Sequence, residues 1–224
     1  VREEAGPDFS PIEVWIFDLD NTLYPAESQF MGLVEVRMTE FVMRLTGLPF
    51  DEARALQKKY LLEQGTTLAG LMANHGVSPH DFMDYVHDVP LDLLKPDTAL
   101  HAGLARLPGR RLVFTNGSAK HAERVLDHLR LSQYFEDVFH VELAGFVPKP
   151  HRGTYDAMLK AHDVDPTRAA FFEDSERNLK PAAELGMTTV LVGPRAVTSD
   201  APFVHYKAAE LASFLASVRV RNIA

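Results

Sequence analysis

Apolar residues run unbroken through VWIF, the end of IEVWIF (Ile12–Phe17), and stop abruptly at an acid, the pattern of a strand buried on both faces. From Ser28 the spacing changes. Phe30, Leu33, Val34, Met38, Phe41, Val42 and Leu45 recur at three- and four-residue steps, predicting a helix. Gly47 and Pro49 end it, Asp51 is placed to cap a second helix over Glu52–Glu63, and Ser78-Pro79 opens another through Tyr85. The segment from Tyr24 to Leu94 is therefore expected to be all helix.

Beyond Pro96, apolar strands alternate with helical stretches: helix Thr98–Arg106, strand Arg111–Thr115, helix Ser118–Leu129, strand DVFHV, helix Arg152–Ala161, strand AAFF, helix Arg177–Leu185, strand TTVLV and helix Lys207–Ser217. This alternation predicts an α/β fold, a doubly wound parallel sheet covered on both faces. Residues 1–23 and 95–224 would form that core domain. Residues 24–94 would be a helical cap domain inserted after its first strand.

The composition narrows the function. The chain has 224 residues, 46% of them hydrophobic, enough for one domain with a modest insertion. Its 31 acidic and 23 basic residues give a net charge of −8 with no long basic run, which argues against a nucleic acid polymer or an anionic membrane as partner. Cysteine is absent, which removes a disulfide framework, a thiolate metal site and a cysteine nucleophile, and a reducing, cytoplasmic setting fits. The opening VREEAGPDFSP carries acids and prolines in place of an apolar signal stretch, with residues before Val1 left open. A monomer and a homodimer are equally compatible with this composition.

In a doubly wound sheet, ligands bind outside the carboxyl ends of the strands. There the sequence places Asp18-Leu19-Asp20, Thr115-Asn116-Gly117, Lys149 in VPKP, and Glu173-Asp174-Ser175. If the chain stays extended through Leu19, Asp18 and Asp20 face the same side. Three carboxylates at one point repel unless a cation joins them, and hard oxygen ligands without cysteine suit Mg²⁺. A hydroxyl, a helix-start amide at Ser118 and the Lys149 ammonium supply the donors a phosphoryl group requires.

These residues resemble the four motifs of the haloacid dehalogenase superfamily of phosphotransferases, over Val14 to Val192. DLDNT resembles the nucleophile motif, FTNG the Ser/Thr motif, the lysine of VPKP the third motif and FEDSERN the final acidic one. The resemblance implies that Asp18 is the nucleophile, and that Asp20 protonates the leaving oxygen and then activates water. It further implies that Asp18, the Asp20 carbonyl and Asp174 hold Mg²⁺, and that Thr115 and Lys149 hold the phosphoryl oxygens. Asn178 stands where many relatives carry a second acid, which leaves it an outer role, and Glu173 either reaches the metal or merely ends its strand. An acid at Asp20 favours phosphate chemistry over carbon–halogen cleavage.

Ordinary readings compete. Asp18 and Asp20 could cap the following helix, Thr115-Asn116-Gly117 could be a turn, and Lys149 could be solvated. A metal-binding acid pair also serves glycosyltransferases, and a phosphate-receiving switch or a binding module could use similar groups. Joint placement at strand ends favours the enzyme, with a small phosphomonoester as its partner. The histidines form no metal-binding spacing, and His75, His80 and His87 are read as surface or packing residues.

Within the helical segment, NTLYP, VRMTEF and YLLEQGTTLAGL resemble the pyrimidine 5′-nucleotidase branch of the superfamily. That resemblance implies a pyrimidine nucleoside 5′-monophosphate as substrate, with Asn21, Tyr24, Arg37, Gly65, Thr66 and Thr67, beside Asn116 and Gly117, as substrate-binding residues. A sugar-phosphate or phosphoglycolate phosphatase is the alternative. From local signals alone, Gly65 reads as a helix stop and the following threonine as an N-cap.

Overall fold

A computed structural model describes residues 6–221, so the opening residues 1–5, read above as part of a stretch without a signal sequence, lie outside the described residues. Six strands, β1 (Val14–Phe17), β2 (Arg110–Phe114), β3 (Asp137–Phe139), β4 (Ala169–Glu173), β5 (Thr188–Val192) and β6 (Tyr206–Ala208), form one parallel sheet. Their order is β3-β2-β1-β4-β5-β6. β1 is central because every residue of VWIF can be buried: Trp15 and Phe17 join one core, Val14 and Ile16 the other. The chain builds outward from β1 through β2 to β3, then returns to β4 on the other side of β1. The resulting reversal opens a crevice at the strand ends next to Asp18 and Asp174.

Between β1 and β2 lie α1 (Phe30–Thr46), α2 (Phe50–Gln64), α3 (Thr67–His75), α4 (Pro79–Val86) and α5 (Thr98–Ala105); the remaining helices are α6 (Ala119–His128), α7 (Arg152–Ala161), α8 (Glu176–Glu184) and α9 (Leu211–Ser217). Helices α1 to α4 pack on one another, and Phe30, Val34, Leu71 and Phe82 belong to one apolar cluster with Trp15, Phe17 and Phe172 of the sheet. Polar contacts fasten this insertion to the helices of the sheet domain at two places. Lys120 Nζ meets Asp84 at 2.9 Å, Arg124 donates to the carbonyls of His87 and Val89, and Arg177 donates to those of Leu61 and Gly65. Among the described residues, no helix is long and apolar enough to cross a membrane.

Several boundaries differ from the sequence reading. α2 begins at Phe50 with Pro49 as its N-cap, so Asp51 sits in the first turn, where an acid suits the helix dipole. The all-helical reading of Tyr24–Leu94 fails past Val86, because Pro90 and Pro96 flank a stretch that cannot continue α4. The expected helix Lys207–Ser217 divides into β6 and α9. Its first residues pair with β5, an edge strand too short for periodicity to declare. The expected strand DVFHV ends at Phe139. The local reading of the GTT turn holds: Gly65 ends α2 with φ of 85°, and the Thr66 hydroxyl accepts from Ala69 N to cap α3.

Candidate active site

Asp18 follows β1 directly, and its amide still donates to Phe172 O of β4, so strand pairing holds the residue in place. Leu19 is fully buried in the core, which turns Asp18 and Asp20 to the other side. Both Asp18 oxygens are engaged: Lys149 Nζ donates to Oδ1 at 2.7 Å, and Thr22 Oγ1 donates to Oδ2 at 3.1 Å. Thr22 was not among the sequence candidates, although it lies within DLDNT.

Lys149 is 1% exposed, and its ammonium has three acceptors: Asp18, Glu173 Oε2 at 2.8 Å and Phe114 O at 2.7 Å. Burial opposes its charge, but the carboxylates of Asp18 and Glu173 outweigh that and push its pKa up. The side chain of Asn116, expected near substrate, instead grips the Lys149 backbone, accepting from its N at 2.8 Å and donating to its O at 3.3 Å. Thr115 is buried and its hydroxyl accepts from Gly117 N at 2.9 Å. A Cβ on Gly117 would stand 3.0 Å from His121, 3.2 Å from Thr115 Oγ1 and 3.7 Å from Asp20 Oδ2, so a larger residue at this corner would press on His121 and Thr115.

Oxygens of Asp18, Glu173 and Asp174 all lie within 4.8 Å of one another. Burial and the charge of Glu173 push Asp18 up to about 7 and Asp174 up to about 9. Crowded carboxylates that retain protons are the chemistry a divalent cation relieves, so the donor set fits one. Glu173 does more than end its strand, since it pairs with Lys149 and belongs to this acidic cluster. Asn178 is buried, and its backbone carbonyl accepts from Tyr155 Oη at 2.6 Å.

Asp20 has a different environment. Burial alone would favour its neutral form, but His121 Nε2 at 2.8 Å and Tyr24 Oη at 2.6 Å hold it down at about 2. Tyr24, expected to face the leaving group, gives its hydroxyl to Asp20 and also lines the cavity on which Asn21 lies. His121 escaped the sequence reading; His87, read as a surface or packing residue, is buried and packs its ring on His121 with centroids 4.0 Å apart. Burial, then the neighbouring His121, lowers His87 to about 3 and keeps it neutral. The one available signal for His121 was its position on the apolar face of α6 with Ala122, Val125 and Leu126.

Asp18, Asp20, Thr115, Lys149 and Asp174 are thus gathered at adjacent strand ends, while Arg37 is engaged inside the insertion. Its Nε donates to Tyr85 O, its Nη1 pairs with Glu40, and its guanidinium covers the Tyr85 ring at 3.8 Å. Thr67 is buried with its hydroxyl donated to Gln57 O. Gly65 approaches the site only as backbone, packed near Pro148, Lys149 and Pro150. Asn21 has a φ of 62° and lines a cavity of about 1130 Å³ that reaches the site at Thr22 and Asp174 but not at Asp18, Asp20, Thr115 or Lys149.

Residues 12–186 match the model of the family described as haloacid dehalogenase-like hydrolase, a span that contains every one of these strand-end groups. The chain belongs to the haloacid dehalogenase-like hydrolases. Among relatives, it is 29% identical over 204 residues to phosphate metabolism protein 8 of Saccharomyces cerevisiae, covering 83% of this chain and 63% of that protein. It is 27% identical over 201 residues to glyceraldehyde 3-phosphate phosphatase of Methanocaldococcus jannaschii, covering 79% of this chain and 83% of that one. The crystal structure of a haloacid dehalogenase-type phosphatase from Thermococcus onnurineus shares the fold, with TM-score 0.61 and 19% identity over 93% of this chain and all of that one (100%). The chain spans less than two thirds of the yeast relative's length. As a haloacid dehalogenase-like hydrolase, it carries its acids and lysine where the doubly wound sheet concentrates ligand contacts.

Proposed function

We propose that the protein is a Mg²⁺-dependent phosphatase of small phosphomonoesters that works through an aspartyl phosphate on Asp18. The observation that carries this reading is the contrast between the two acids: Asp18 is paired with a buried lysine beside an acidic cluster, whereas Asp20 is held by two donors and has no lysine. One carboxylate is set to attack and the other to handle a proton. Mg²⁺, held by Asp18, the Asp20 carbonyl and Asp174, would offset the repulsion between carboxylate and phosphate. Thr115 and Lys149 would hold the phosphoryl oxygens, and residues 24–94 would act as a cap that excludes water. A phosphate-receiving switch would leave the two donors on Asp20 without a purpose.

As substrate we propose a pyrimidine nucleoside monophosphate, whose leaving group is the nucleoside. The cavity beside Asp174 is large enough for a nucleoside, and Asn21 lies on its wall. The base would be read there, since Arg37 and Thr67 are committed within the insertion. A short sugar phosphate is the second reading, favoured by the archaeal relative's printed activity. Phosphate release from UMP, CMP, AMP, GMP and glyceraldehyde 3-phosphate separates them. UMP and CMP should lead; preference for the triose ester would replace the nucleotide reading, and no release from any would end the phosphatase reading.

Metal and proton should compete. Asp18 and Asp174 bind protons more tightly in the folded state than at their ordinary value of 3.8. Below about pH 4 both states are protonated; as pH rises through about 7 for Asp18 and about 9 for Asp174, the metal-free fold loses the stability these protons gave it. Mg²⁺ should therefore raise the melting temperature more near pH ~8 than near pH ~5.5. A Mg²⁺ increment independent of pH, or larger on the acid side, would contradict the assigned cluster.

A further inference from the structure

Both donors to Asp20 converge on a single oxygen. His121 Nε2 and Tyr24 Oη each reach Oδ1, at 2.8 and 2.6 Å, while Oδ2 lies toward Gly117, 3.7 Å from where a Cβ on that residue would stand. A carboxylate pinned in this way has one oxygen occupied and one left for proton transfer. Oδ2 and the Thr115 hydroxyl both border the corner at Gly117, and Thr115 is one of the groups proposed to hold the phosphoryl oxygens.

His121 is itself tightly placed. It is 1% exposed, on the first turn of α6, and its backbone N donates to the Ser118 hydroxyl at 3.2 Å. Two rings from the helical insertion lie nearly parallel to its imidazole: His87, with centroids 4.0 Å apart and planes 14° apart, and Phe30, at 6.1 Å and 7°. His87 is tied back to α6 by Ser118 Oγ, 3.4 Å from its Nδ1, and by Arg124 on its carbonyl. The imidazole can thus turn little about its own axis, and its Nε2–H has one direction in which to point.

We propose that His121 is a positioning residue for Asp20: it fixes Oδ1 of a carboxylate that is ionised before substrate binds, so that Oδ2 is the oxygen that takes up and gives the transferred proton, and the insertion residues Phe30 and His87 hold the imidazole for that purpose. The inference rests on the reading of Asp20 as proton donor. In the first half-reaction, an Asp18 oxygen bonds to phosphorus as the bond from phosphorus to the leaving oxygen breaks, and the Oδ2 proton passes to that oxygen. In the second, Oδ2 takes a proton from water as the water oxygen bonds to phosphorus and the Asp18–phosphorus link breaks. A misdirected Asp20 fails most where the leaving oxygen is basic.

The test compares the first turnover of glycerol 2-phosphate, whose alkoxide needs a proton, with that of p-nitrophenyl phosphate, whose phenolate does not. His121→Phe keeps a flat ring but removes the donor, His121→Asn is too short to reach Oδ1, and His121→Gln can return an N–H near the position of Nε2. Loss of the donor should slow the alkyl ester by roughly 10²-fold and the aryl ester by less than about 10-fold, with His121→Gln recovering most of the difference. Equal losses on both esters, or none, in the Phe and Asn variants would overturn the proposal. So would a Gln variant worse than Phe, since that order marks a packing role. If His121→Phe does not fold, His121→Asn carries the comparison. Asp20→Asn separates the two levels of the argument: if it lacks the same ester-dependent loss while wild type turns over, the proton-donor reading fails and the inference fails with it. Where Asp20→Asn shows that loss and the His121 variants do not, only the inference fails.

Discussion

Asp18→Asn is expected to lower phosphate release by on the order of 10⁴-fold or more, while the fold persists. The amide has nearly the carboxylate's shape; its oxygen can still accept from Lys149, and the Thr22 hydroxyl can turn to accept from its NH2 in place of donating to Oδ2. It cannot supply the anionic oxygen that attacks phosphorus. Circular dichroism and melting should show an intact protein, because the acid removed is one that burial and the charge of Glu173 already push toward its neutral form. Turnover within tenfold of wild type, in protein free of contaminating phosphatase, would remove Asp18 from the nucleophile's role.

Lys149→Met is expected to be the most costly substitution for stability. The ammonium is enclosed with three acceptors, two of them carboxylates, and the isosteric thioether leaves Asp18 and Glu173 buried without a cation. Breaking a buried pair by deleting one partner typically costs about 3–5 kcal/mol, because the remaining charge stays desolvated. Urea denaturation in chelator near neutral pH should show a loss of that size, reduced as the pH falls and Asp18 takes up a proton. Arginine should not rescue, since a planar fork cannot direct one nitrogen at three acceptors around a point. A methionine variant as stable as wild type under these conditions would show that Lys149 does not sit among these acids.

The strand-end acids were legible because a strand buried on both faces leaves no ordinary reason for a charge directly after it, and VWIF and AAFF both end that way. Lys149 could be placed with them only as the far end of the loop after DVFHV, as VPKP has no strand immediately before it. What escaped was the set of contacts made across the fold. His121 meets Asp20 from a hundred residues away through the packing of α6 against the end of β1, and no local spacing encodes that approach. Tyr24 and Asn116 were named from sequence without their partners: the fold gives the Tyr24 hydroxyl to Asp20 and the Asn116 amide to the Lys149 backbone. Arg37 shows the limit of periodicity from the other side. Its place on α1 was clear, but the Tyr85 ring and carbonyl that engage it come from α4, whose packing angle the sequence does not display.

The most direct measurement is the intact mass of Asp20→Asn protein after mixing with p-nitrophenyl phosphate and Mg²⁺, followed by peptide mapping. Without the carboxylate that activates water, the covalent intermediate should outlive its formation. The account predicts a mass gain of one phosphoryl group, located on the peptide that carries Asp18 and absent from the Asp18→Asn, Asp20→Asn double variant. A phosphoryl group on another residue, or p-nitrophenol released at the wild-type rate with no labelled protein at any time, would contradict it.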